Sequence, residues 1–415
     1  MSVKYEKLFE PIKIGPVEIP NRVAVLPIRG VVHSPNAFAD VDYISFFTRR
    51  TRGGFGLIVL EGTSTSTFED HYTMNMSLRL YEPSHVAPFK KLTDAVHAFG
   101  GRIFVQLTAG GFGRQYFDPN GIEPPVAASP IPLDIDPAYI ATNLDKNPRL
   151  MGRLKGLVPV EIKQSLIWEL IESHYNSTIL AIMAGFDGVE MHAAHGYFGA
   201  NFLSPNQNTR TDEFGGSFEN RTRYTRESVK MAMKAIKEMH AEDRFVVGVR
   251  TSADEHTPGG LTKEDIVKIH EMFIKEGCSY VNLSDGPGFE KWKYLFPSED
   301  MMPMRMEQAK YFNEHFDVPV LISSIHNPDL AAEVADTCDH VIVALGRQAY
   351  ADPDWPKKVK EGRPKDVVRC RRCNLDCYMY SRMVNAPERC AVNPECGFEG
   401  YDPANWPVSG QLVRK

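Results

Sequence analysis

The chain has 415 residues, more than one domain of about 150 residues, which fits one large α/β barrel with an appendage. Hydrophobic residues make up 43% of it and charged residues 24%, with a net charge of −6. This composition is ordinary for a soluble globular protein and does not favour binding to nucleic acid or to a membrane surface. No apolar run has transmembrane length, and the N-terminus lacks the apolar region of a signal peptide, so we expect a cytoplasmic protein.

Eight short β-rich runs recur over the first 345 residues, separated by segments with helical periodicity. Most runs are largely apolar rather than alternating, as expected for parallel strands that are buried on both faces. The predicted strands are Arg22–Leu26, Gly56–Glu61, Arg102–Leu107, Gly188–His192, Phe245–Arg250, Tyr280–Ser284, Val318–Ser323 and Val341–Leu345. The clearest predicted helices are Val160–Met183, Asn220–Met239, Thr262–Glu276 and Asp329–Asp336.

This alternation fits a closed (β/α)8 barrel or a doubly wound sheet, and periodicity alone does not choose between them. No G-x-G-x-x-G motif follows the first run, which makes the doubly wound, dinucleotide-binding fold the less favoured alternative. In a barrel the carboxyl ends of the strands form one rim, where active sites assemble. Polar residues lie at or near these ends, namely Glu61, Gln106, His192, Arg250, Ser284 and Ser323.

Two stretches interrupt the pattern. Residues 113–160 are long and proline-rich, and a loop of this length is usually functional, so we predict a cap beside the active-site mouth. The barrel pattern stops after Asp352-Pro353, and the predicted barrel domain ends at residue 363. Residues 364–400 carry a cysteine cluster, and residues 401–415 have the character of a tail.

Two histidines follow the fourth predicted strand. His192 and His195 are three residues apart and can converge to donate hydrogen bonds to a carbonyl or phenolate oxygen. Tyr197 lies two residues further on and could supply a proton. Zinc binding is a weaker interpretation, because no nearby carboxylate completes a familiar ligand spacing. Purely structural hydrogen bonds are the other alternative.

Five of the seven cysteines fall within the last fifty residues. Four of them follow a C-x2-C-x3-C-x12-C spacing and are Cys370, Cys373, Cys377 and Cys390. Three closely spaced thiolates and a remote fourth can surround a cubic iron–sulfur cluster, and structural zinc is the rival interpretation. We expect Cys396 to be a spare thiol, and Cys278 and Cys338 to be core residues.

Several separated motifs, in the expected order over about residues 5–365, resemble the Old Yellow Enzyme family of flavoproteins. The motifs are Leu8-Phe9-Glu-Pro11, Asn21-Arg22, Pro27, His192-Ala-Ala-His195-Gly-Tyr197, Phe202-Leu-Ser-Pro205, Asn208-Thr-Arg-Thr-Asp212, Phe214-Gly-Gly216, Asn220-Arg221, Leu345-Gly346-Arg347 and Ala351-Asp352-Pro353. The resemblance implies a (β/α)8 TIM barrel that binds FMN.

The resemblance also implies roles for individual residues. The FMN phosphate is expected near Ser324, Gly346 and Arg347, because backbone N–H groups after strands seven and eight form phosphate sites in such barrels. Arg250 is expected at the flavin N1/O2 edge and Gln106 at its pyrimidine edge. The positions expected to line the flavin ring are Pro27, Ile28 and Gly62.

The sequence departs from the family pattern at two places. Two residues after Pro27, where relatives often carry a flavin-tuning Thr or Cys, stands Arg29, with Gly30 next to it. The loop after the sixth strand lacks the histidine that assists protonation in the related 2,4-dienoyl-CoA reductases. Glu290 and Asp285 are the candidates to replace it, and ordinary solvated loop acids are the plainer interpretation.

The cysteine segment resembles the [4Fe-4S] segment of 2,4-dienoyl-CoA reductase and trimethylamine dehydrogenase, including the run from Cys390 to Pro394 (CAVNP). Those relatives continue into dinucleotide-binding domains, whereas no glycine-rich fingerprint follows residue 400 here. The reductant is therefore expected to be NAD(P)H or an external electron-transfer protein. The presence of all four cysteine ligands modestly favours the electron-transfer protein. Relatives form dimers or larger assemblies, so a homo-oligomer is compatible with the resemblance.

The preferred function is an ene-reductase that acts on the C=C bond of a small α,β-unsaturated carbonyl compound. The alternative is a dehydrogenase of an amine or alicyclic substrate that passes electrons through the cluster. A zinc-stabilised scaffold without flavin is a third interpretation. Aromatic residues in the 285–300 loop suggest a flat substrate such as a steroid-like or polycyclic ketone, or else a lid packed on its own core.

Overall fold

A computed structural model describes residues 3–28, 38–72, 77–111, 113–115, 124–136, 158–295, 297–380 and 388–402. Eight parallel strands of this part form a closed barrel in which each strand pairs with the next and the last pairs with the first. The strands are β1 (Val23–Ile28), β2 (Leu57–Ser64), β3 (Arg102–Thr108), β4 (Gly188–Ala193), β5 (Val246–Ser252), β6 (Tyr280–Ser284), β7 (Val320–Ser323) and β8 (Val341–Leu345). The predicted (β/α)8 barrel is thereby confirmed over the doubly wound alternative.

A helix follows each strand and packs on the outside of the barrel. These helices are α1 (Val41–Arg52), α2 (Val86–Ala98), α3 (Gln164–Met183), α4 (Phe218–Glu238), α5 (Lys263–Lys275), α6 (Met302–His315), α7 (Pro328–Thr337) and α8 (Trp355–Lys360). Shorter helices are Thr67–Tyr72, Phe198–Leu203, Trp292–Leu295 and Arg347–Ala351. Among the helices of the described residues, none combines the length and apolar character needed to cross a bilayer.

The barrel interior is filled at its amino-terminal end. A hairpin of Ile12–Ile14 and Val17–Ile19 covers that end, and its buried side chains join one apolar cluster with inward residues of the strands. Tyr280 fills the centre, and it fits because Gly248 opposite has no side chain: a Cβ there would lie 2.2 Å from the tyrosine ring. With this end packed, the carboxyl end of the barrel is the end at which a ligand can enter among the residues that the structure describes.

Helix boundaries follow local chemistry. α5 begins where predicted: Thr262 and Asp265 form a reciprocal capping box, in which each side chain accepts from the backbone N–H of the other. Such a cap stabilises a helix by about 1 kcal/mol. α3 starts at Gln164, later than the predicted Val160, because Val160–Glu161 instead pairs with Val126–Ala127. This short parallel sheet belongs to the described part of the predicted cap.

The cysteine segment is attached to the barrel rim by side-chain contacts. Gln348, in the short helix after β8, donates to the Val368 carbonyl at 2.8 Å and accepts from the Cys370 N–H at 3.0 Å. Further along, Glu399 forms a completely buried ion pair with Arg50 of α1, with 2.6 Å between Oε1 and the guanidinium. The segment therefore packs against the open end of the barrel.

Candidate active site

A cavity of about 240 Å³ opens at the carboxyl end of the barrel. Its wall contains all the residues predicted from the sequence to contact flavin or substrate. They are Pro27, Ile28, Gly62, Gln106, His192, His195, Tyr197, Arg250, Ser324, Gly346 and Arg347. Closure of the barrel thus brings together residues that are far apart in the sequence.

His192, at the end of β4, is a neutral hydrogen-bond donor. The backbone N–H of Ala194 donates to its Nδ1 atom at 3.2 Å, so the ring proton must lie on Nε2. Burial, together with the positive charge of Arg250, lowers the pKa of His192 to about 3. The imidazole therefore remains uncharged at neutral pH and presents one N–H group.

His195 and Tyr197 complete a three-ring wall with His192. The ring centroids of His192 lie 5.4 Å from His195 and 5.1 Å from Tyr197, and those of His195 and Tyr197 are 6.0 Å apart. His195 Nε2 lies 2.6 Å from the Ser284 hydroxyl, and its backbone N–H donates to Ser252 at 3.2 Å. Its φ of 62° is rare for a residue with a side chain, and such strain concentrates at functional sites.

A buried carboxyl group supports the cavity from within the barrel. Glu190 of β4 accepts from Gln106 Nε2 at 2.7 Å, from Asn282 Nδ2 at 2.8 Å and from the Tyr280 hydroxyl at 3.1 Å. Burial raises the pKa of Glu190, whereas the charge of Arg250 and these three donors oppose that shift. Since the Gln106 N–H is used by Glu190, its amide oxygen is the atom available to the cavity.

Arg250, at the end of β5, is only 5% exposed. Burial lowers its pKa to about 10, against the opposing effect of Glu190, so the guanidinium is charged at neutral pH. Within the described residues, Arg250 Nε and the Ser323 hydroxyl are buried without a hydrogen-bond partner, and both residues line the cavity. Buried polar groups are rarely left unpaired, so these two indicate a polar ligand. The acceptor atoms along the pyrimidine edge of a flavin fit this requirement.

The ends of β7 and β8 have the backbone geometry of a ligand-binding turn. Ser324 directly follows β7 and adopts a φ of 76°. Gly346 follows β8 with φ −95° and ψ −98°, and the short helix beginning at Arg347 comes next. The Arg347 guanidinium donates to Asn374 of the cysteine segment at 2.8 Å. Arg372 of the same segment also lines the cavity, so two cations stand where a phosphate is expected.

His326, Arg372 and Glu388 are among the cavity residues that were not predicted from the sequence. His326 Nε2 lies 2.7 Å from the Arg372 guanidinium and accepts a hydrogen bond from it. Burial, followed by the charge of Arg372, lowers the pKa of His326 to about 4 and keeps the ring neutral. The proximity of Arg372 to two cysteines in the sequence was the one available signal, because the contact with His326 spans 46 residues.

The two loop acids considered as proton donors have structural partners. Asp285 is completely buried, lies 3.3 Å from Arg305 and accepts from His256 Nε2 at 2.9 Å. Glu290 lies 2.7 Å from Arg114. The prediction that they are solvated loop acids is therefore wrong for Asp285, because the folded loop places it against a buried guanidinium.

The four predicted cluster ligands surround a small cleft beside the cavity, together with Arg347, Arg371 and Arg389. Cys370 and Cys377 line both spaces, whereas Cys373 and Cys390 line the cleft alone. In the described part of the chain, no three His, Cys, Asp or Glu side chains converge closely enough to form a metal-ion site. The donor set matches a four-thiolate cluster in number and chemistry.

The thiol of Cys377 indicates how much positive charge a metal centre in this cleft must provide. Burial, then the neighbouring Cys370, Cys390 and Cys373, raises its pKa to about 12, with Arg347 opposing the shift. A thiolate is the form that binds metal, so a strongly electropositive centre is needed to keep this group deprotonated at neutral pH. The remaining cysteines, Cys278, Cys338 and Cys396, are buried outside the cleft.

Some predictions fall outside the described residues. These are the flavin-tuning position at Arg29 and Gly30, most of the cap between residues 113 and 160, and the tail from residue 403.

The chain is similar to known proteins over almost its whole length. Cinnamate reductase of Clostridium sporogenes is 30% identical over 426 residues, covering 96% of this chain and 59% of its own length. A 2-naphthoyl-CoA reductase structure superposes with a TM-score of 0.77 and 28% identity, covering 96% of this chain and 58% of that protein. Histamine dehydrogenase from Rhizobium sp. 4-9 superposes with a TM-score of 0.75 and 26% identity, covering 95% of this chain and 53% of that protein.

The chain spans somewhat more than half the length of the curated relatives it matches. Residues 7–366, which include the complete barrel, match the NADH:flavin oxidoreductase / NADH oxidase family. The family resemblance predicted from the motifs is thereby confirmed. This chain belongs to the NADH:flavin oxidoreductase / NADH oxidase family.

Proposed function

We propose that the protein is an ene-reductase that uses FMN to reduce the activated C=C bond of an α,β-unsaturated carbonyl compound. The observation that carries this proposal is the neutral His192 donor beside His195, on the same cavity wall as Arg250. The His192 N–H group, with the His195 ring beside it, can hold a carbonyl or thioester oxygen. Donors placed where negative charge develops accelerate such reactions by about 10²- to 10³-fold each.

Each of these residues has a defined task in the proposed reaction. His192 and His195 bind the substrate oxygen and stabilise the enolate-like charge that grows on it. Tyr197 stands next to both rings and gives its proton to the α-carbon. Stacking of the substrate within the enclosed cavity provides the orientation that makes transfer fast.

The residues that would hold FMN are distributed around the same cavity. Arg250 and the Gln106 amide oxygen would face the pyrimidine edge, while Ser324, Gly346 and Arg347 would bind the phosphate. Pro27, Ile28 and Gly62 would enclose the ring. When bound and reduced, FMN supplies the hydride for the β-carbon, and the fixed charge of Arg250 favours its anionic reduced form.

The comparisons support a conjugated carbonyl substrate. Cinnamate reductase and 2-naphthoyl-CoA reductase are named for an enoate and for an aromatic thioester, both of which have unsaturated carbon next to a carboxyl-derived group. We therefore propose an enone, an enoate or an enoyl-CoA ester, and a flat polycyclic or steroid-like skeleton remains part of the proposal. We propose that the physiological reaction is reduction of the C=C bond rather than its formation.

Histamine dehydrogenase, a structural neighbour, makes amine oxidation the second candidate. Alkylammonium ions are recognised by several aromatic faces arranged as a cage. Among the described residues of the cavity wall, Tyr197 and Tyr350 are the phenol rings and no Trp or Phe contributes, whereas Arg250, Arg347 and Arg372 add three cations. The lack of an aromatic cage in this described wall therefore disfavours an alkylammonium substrate.

We also propose that Cys370, Cys373, Cys377 and Cys390 hold a [4Fe-4S] cluster. A cubic cluster needs thiolates around a wider space than a single zinc ion does, and the open arrangement around the cleft supports this choice. The shared wall of Cys370 and Cys377 would put the cluster next to the flavin. In this position it can relay single electrons from NAD(P)H-dependent or protein donors.

The test is an absorption spectrum of anaerobically purified protein, with iron, sulfide and zinc measured on the same sample. We expect a flavin band, about four irons per chain, and oxidation of dithionite-reduced enzyme by cinnamate, cyclohexenone or crotonyl-CoA. Protein without flavin, or flavin that is reduced by histamine or trimethylamine and not reoxidised by any unsaturated carbonyl, would overturn the proposal.

A further inference from the structure

The surface around the cysteine cleft differs in charge from the rest of the chain. Residues 357–373 contain eight Lys or Arg and two Asp or Glu, although the whole chain has a net charge of −6. Lys357, Lys360, Arg363, Lys365, Arg369 and Arg371 are exposed. This stretch of the sequence is therefore basic in an otherwise acidic protein, and it ends at Cys373, which is itself exposed.

Part of this positive charge is held at the cleft itself. Arg371 and Arg389 line the cleft with the four cysteines, and Asp376 is the acid in its described lining. The Arg369 side chain is 64% exposed, and its contact with Glu299 is a 4.0 Å pair between two exposed groups. Such surface pairs contribute little, so Arg369 keeps its field toward solvent.

Apolar side chains are exposed among these cations. Leu375 is 48% exposed and Phe398 is 44% exposed, and the Arg389 guanidinium lies 3.9 Å from the Phe398 ring centroid. Exposed apolar groups beside charges of one sign occur at sites that bind a partner of opposite charge, and Phe398 lies beside Arg389 in this way. We name the surface of Arg369, Arg371, Leu375, Arg389 and Phe398 the cysteine rim.

We propose that the cysteine rim is the docking surface for a small acidic protein that carries one electron at a time, such as a ferredoxin-type iron–sulfur protein. This inference rests on the proposed function, because it needs a redox centre in the cleft. Cys373 faces the outside, and Cys370 and Cys377 face the barrel cavity, so the four cysteines connect the rim with the active site. Charge attraction holds the carrier at the exposed end of that path.

The reaction balances with two such encounters. Two reduced carriers each give up one electron and are oxidised. The two electrons, with two protons from water, convert one C=C bond into a CH–CH bond. The carrier and the substrate use different faces, so the two half-reactions do not compete for the same space.

The experiment measures binding of a reduced acidic [2Fe-2S] ferredoxin to the cofactor-loaded enzyme by calorimetry, from about 50 to about 300 mM salt. The test variant is Arg369→Glu/Arg371→Glu. Its matched control, Lys91→Glu/Lys268→Glu, makes the same change of charge at two exposed lysines of α2 and α5. Iron content and flavin reduction by dithionite are recorded for every variant.

We expect the rim variant to bind ferredoxin about tenfold more weakly at low salt and the control to change less than about twofold, with the difference fading at high salt. Equal effects in the two variants would overturn the inference, as would binding that does not depend on salt. Tighter binding of a DNA duplex than of ferredoxin would also overturn it. If iron is absent from the wild type, the proposed function fails with it; if iron and dithionite-driven reduction are intact and ferredoxin does not bind, the docking inference alone fails.

Discussion

Gln106 Nε2 and Glu190 Oε1 are joined by a 2.7 Å hydrogen bond inside the barrel. The bond fixes which end of the Gln106 amide faces the cavity, and it couples that amide to a carboxyl group that also opposes the charge of Arg250. Glu190 does not line the cavity among the described residues, yet it orients Gln106 and opposes the charge of Arg250, which both line it.

The first prediction concerns the charge of Glu190. Glu190→Gln removes a buried negative charge beside Arg250, so the reduced anionic flavin is stabilised and its midpoint potential rises. If Glu190 no longer opposes the charge of Arg250, each 1.4 kcal/mol of added flavin stabilisation corresponds to about 30 mV for a two-electron couple. We expect the midpoint potential to rise by at least about 30 mV. A dye-linked redox titration measures it. An unchanged potential would mean that the carboxyl group is neutral in the native enzyme.

The second prediction separates substrate binding from flavin binding. His192→Asn/His195→Asn should lower kcat/KM for an enone by about 10²-fold or more, because both oxygen-binding donors are displaced. Flavin content should stay at the wild-type level. His315→Asn, on the exposed end of α6, is the matched control. Loss of flavin from the double variant would assign these histidines to the cofactor instead.

The third prediction tests the ligand set of the cleft. Cys373→Ser should lose most of the bound iron and sulfide. Cys396→Ser should retain them, because Cys396 is buried and does not line the cleft. Metal analysis of both variants with the wild type decides the point. Full iron in the first variant, or zinc in the wild type, contradicts the proposed [4Fe-4S] site.

The fourth prediction concerns the attachment of the cysteine segment. Arg50 and Glu399 have side chains 0% and 1% exposed. Arg50→Met leaves a buried carboxylate without its guanidinium, which typically costs about 3–5 kcal/mol. Urea unfolding should show this loss, and Arg50→Met/Glu399→Leu should recover a large part of it. A single variant as stable as the wild type would show that the pair does not hold the segment in place.

The fifth prediction is a pH dependence of stability from Glu69. Burial raises the pKa of Glu69 from 4.5 to about 8, so the folded state keeps a proton that the unfolded state releases. The contribution is therefore complete below pH 4.5 and is lost as the pH rises toward 8, at no more than about 1.4 kcal/mol per pH unit. Glu69→Gln should unfold at a higher temperature than wild type at pH 8 and at a similar temperature at pH 4.5. Parallel melting curves for the two proteins over this range would refute the shift.

The barrel could be predicted because its strands are buried on both faces. Runs such as Val341–Leu345 are apolar throughout, and every predicted run overlaps an observed strand. Boundaries were less certain: β2 continues to Ser64, beyond the predicted Glu61, where its hydrophobic pattern has already ended. The start of α3 was misplaced because the pairing of Val160 with Val126 is a non-local contact.

The residues of the candidate site could be predicted where they lie at or near the carboxyl ends of strands, as Gln106, His192 and Arg250 do. It was not predictable where two side chains meet across the fold. The contact of His326 with Arg372 and the buried position of Asp285 against Arg305 depend on how loops pack on the rim. Strand periodicity carries no information about such loop-to-loop contacts.

The cavity wall begins at Leu26, in the first barrel strand, and is completed by Glu388, near the end of the described chain. During synthesis on the ribosome, the eight strands can therefore emerge and close before the last part of the wall exists. Premature termination within the cysteine segment would yield a barrel with its strands intact and its pocket breached. Such fragments should fold and yet fail to retain a tightly bound ligand, because part of the pocket wall is missing.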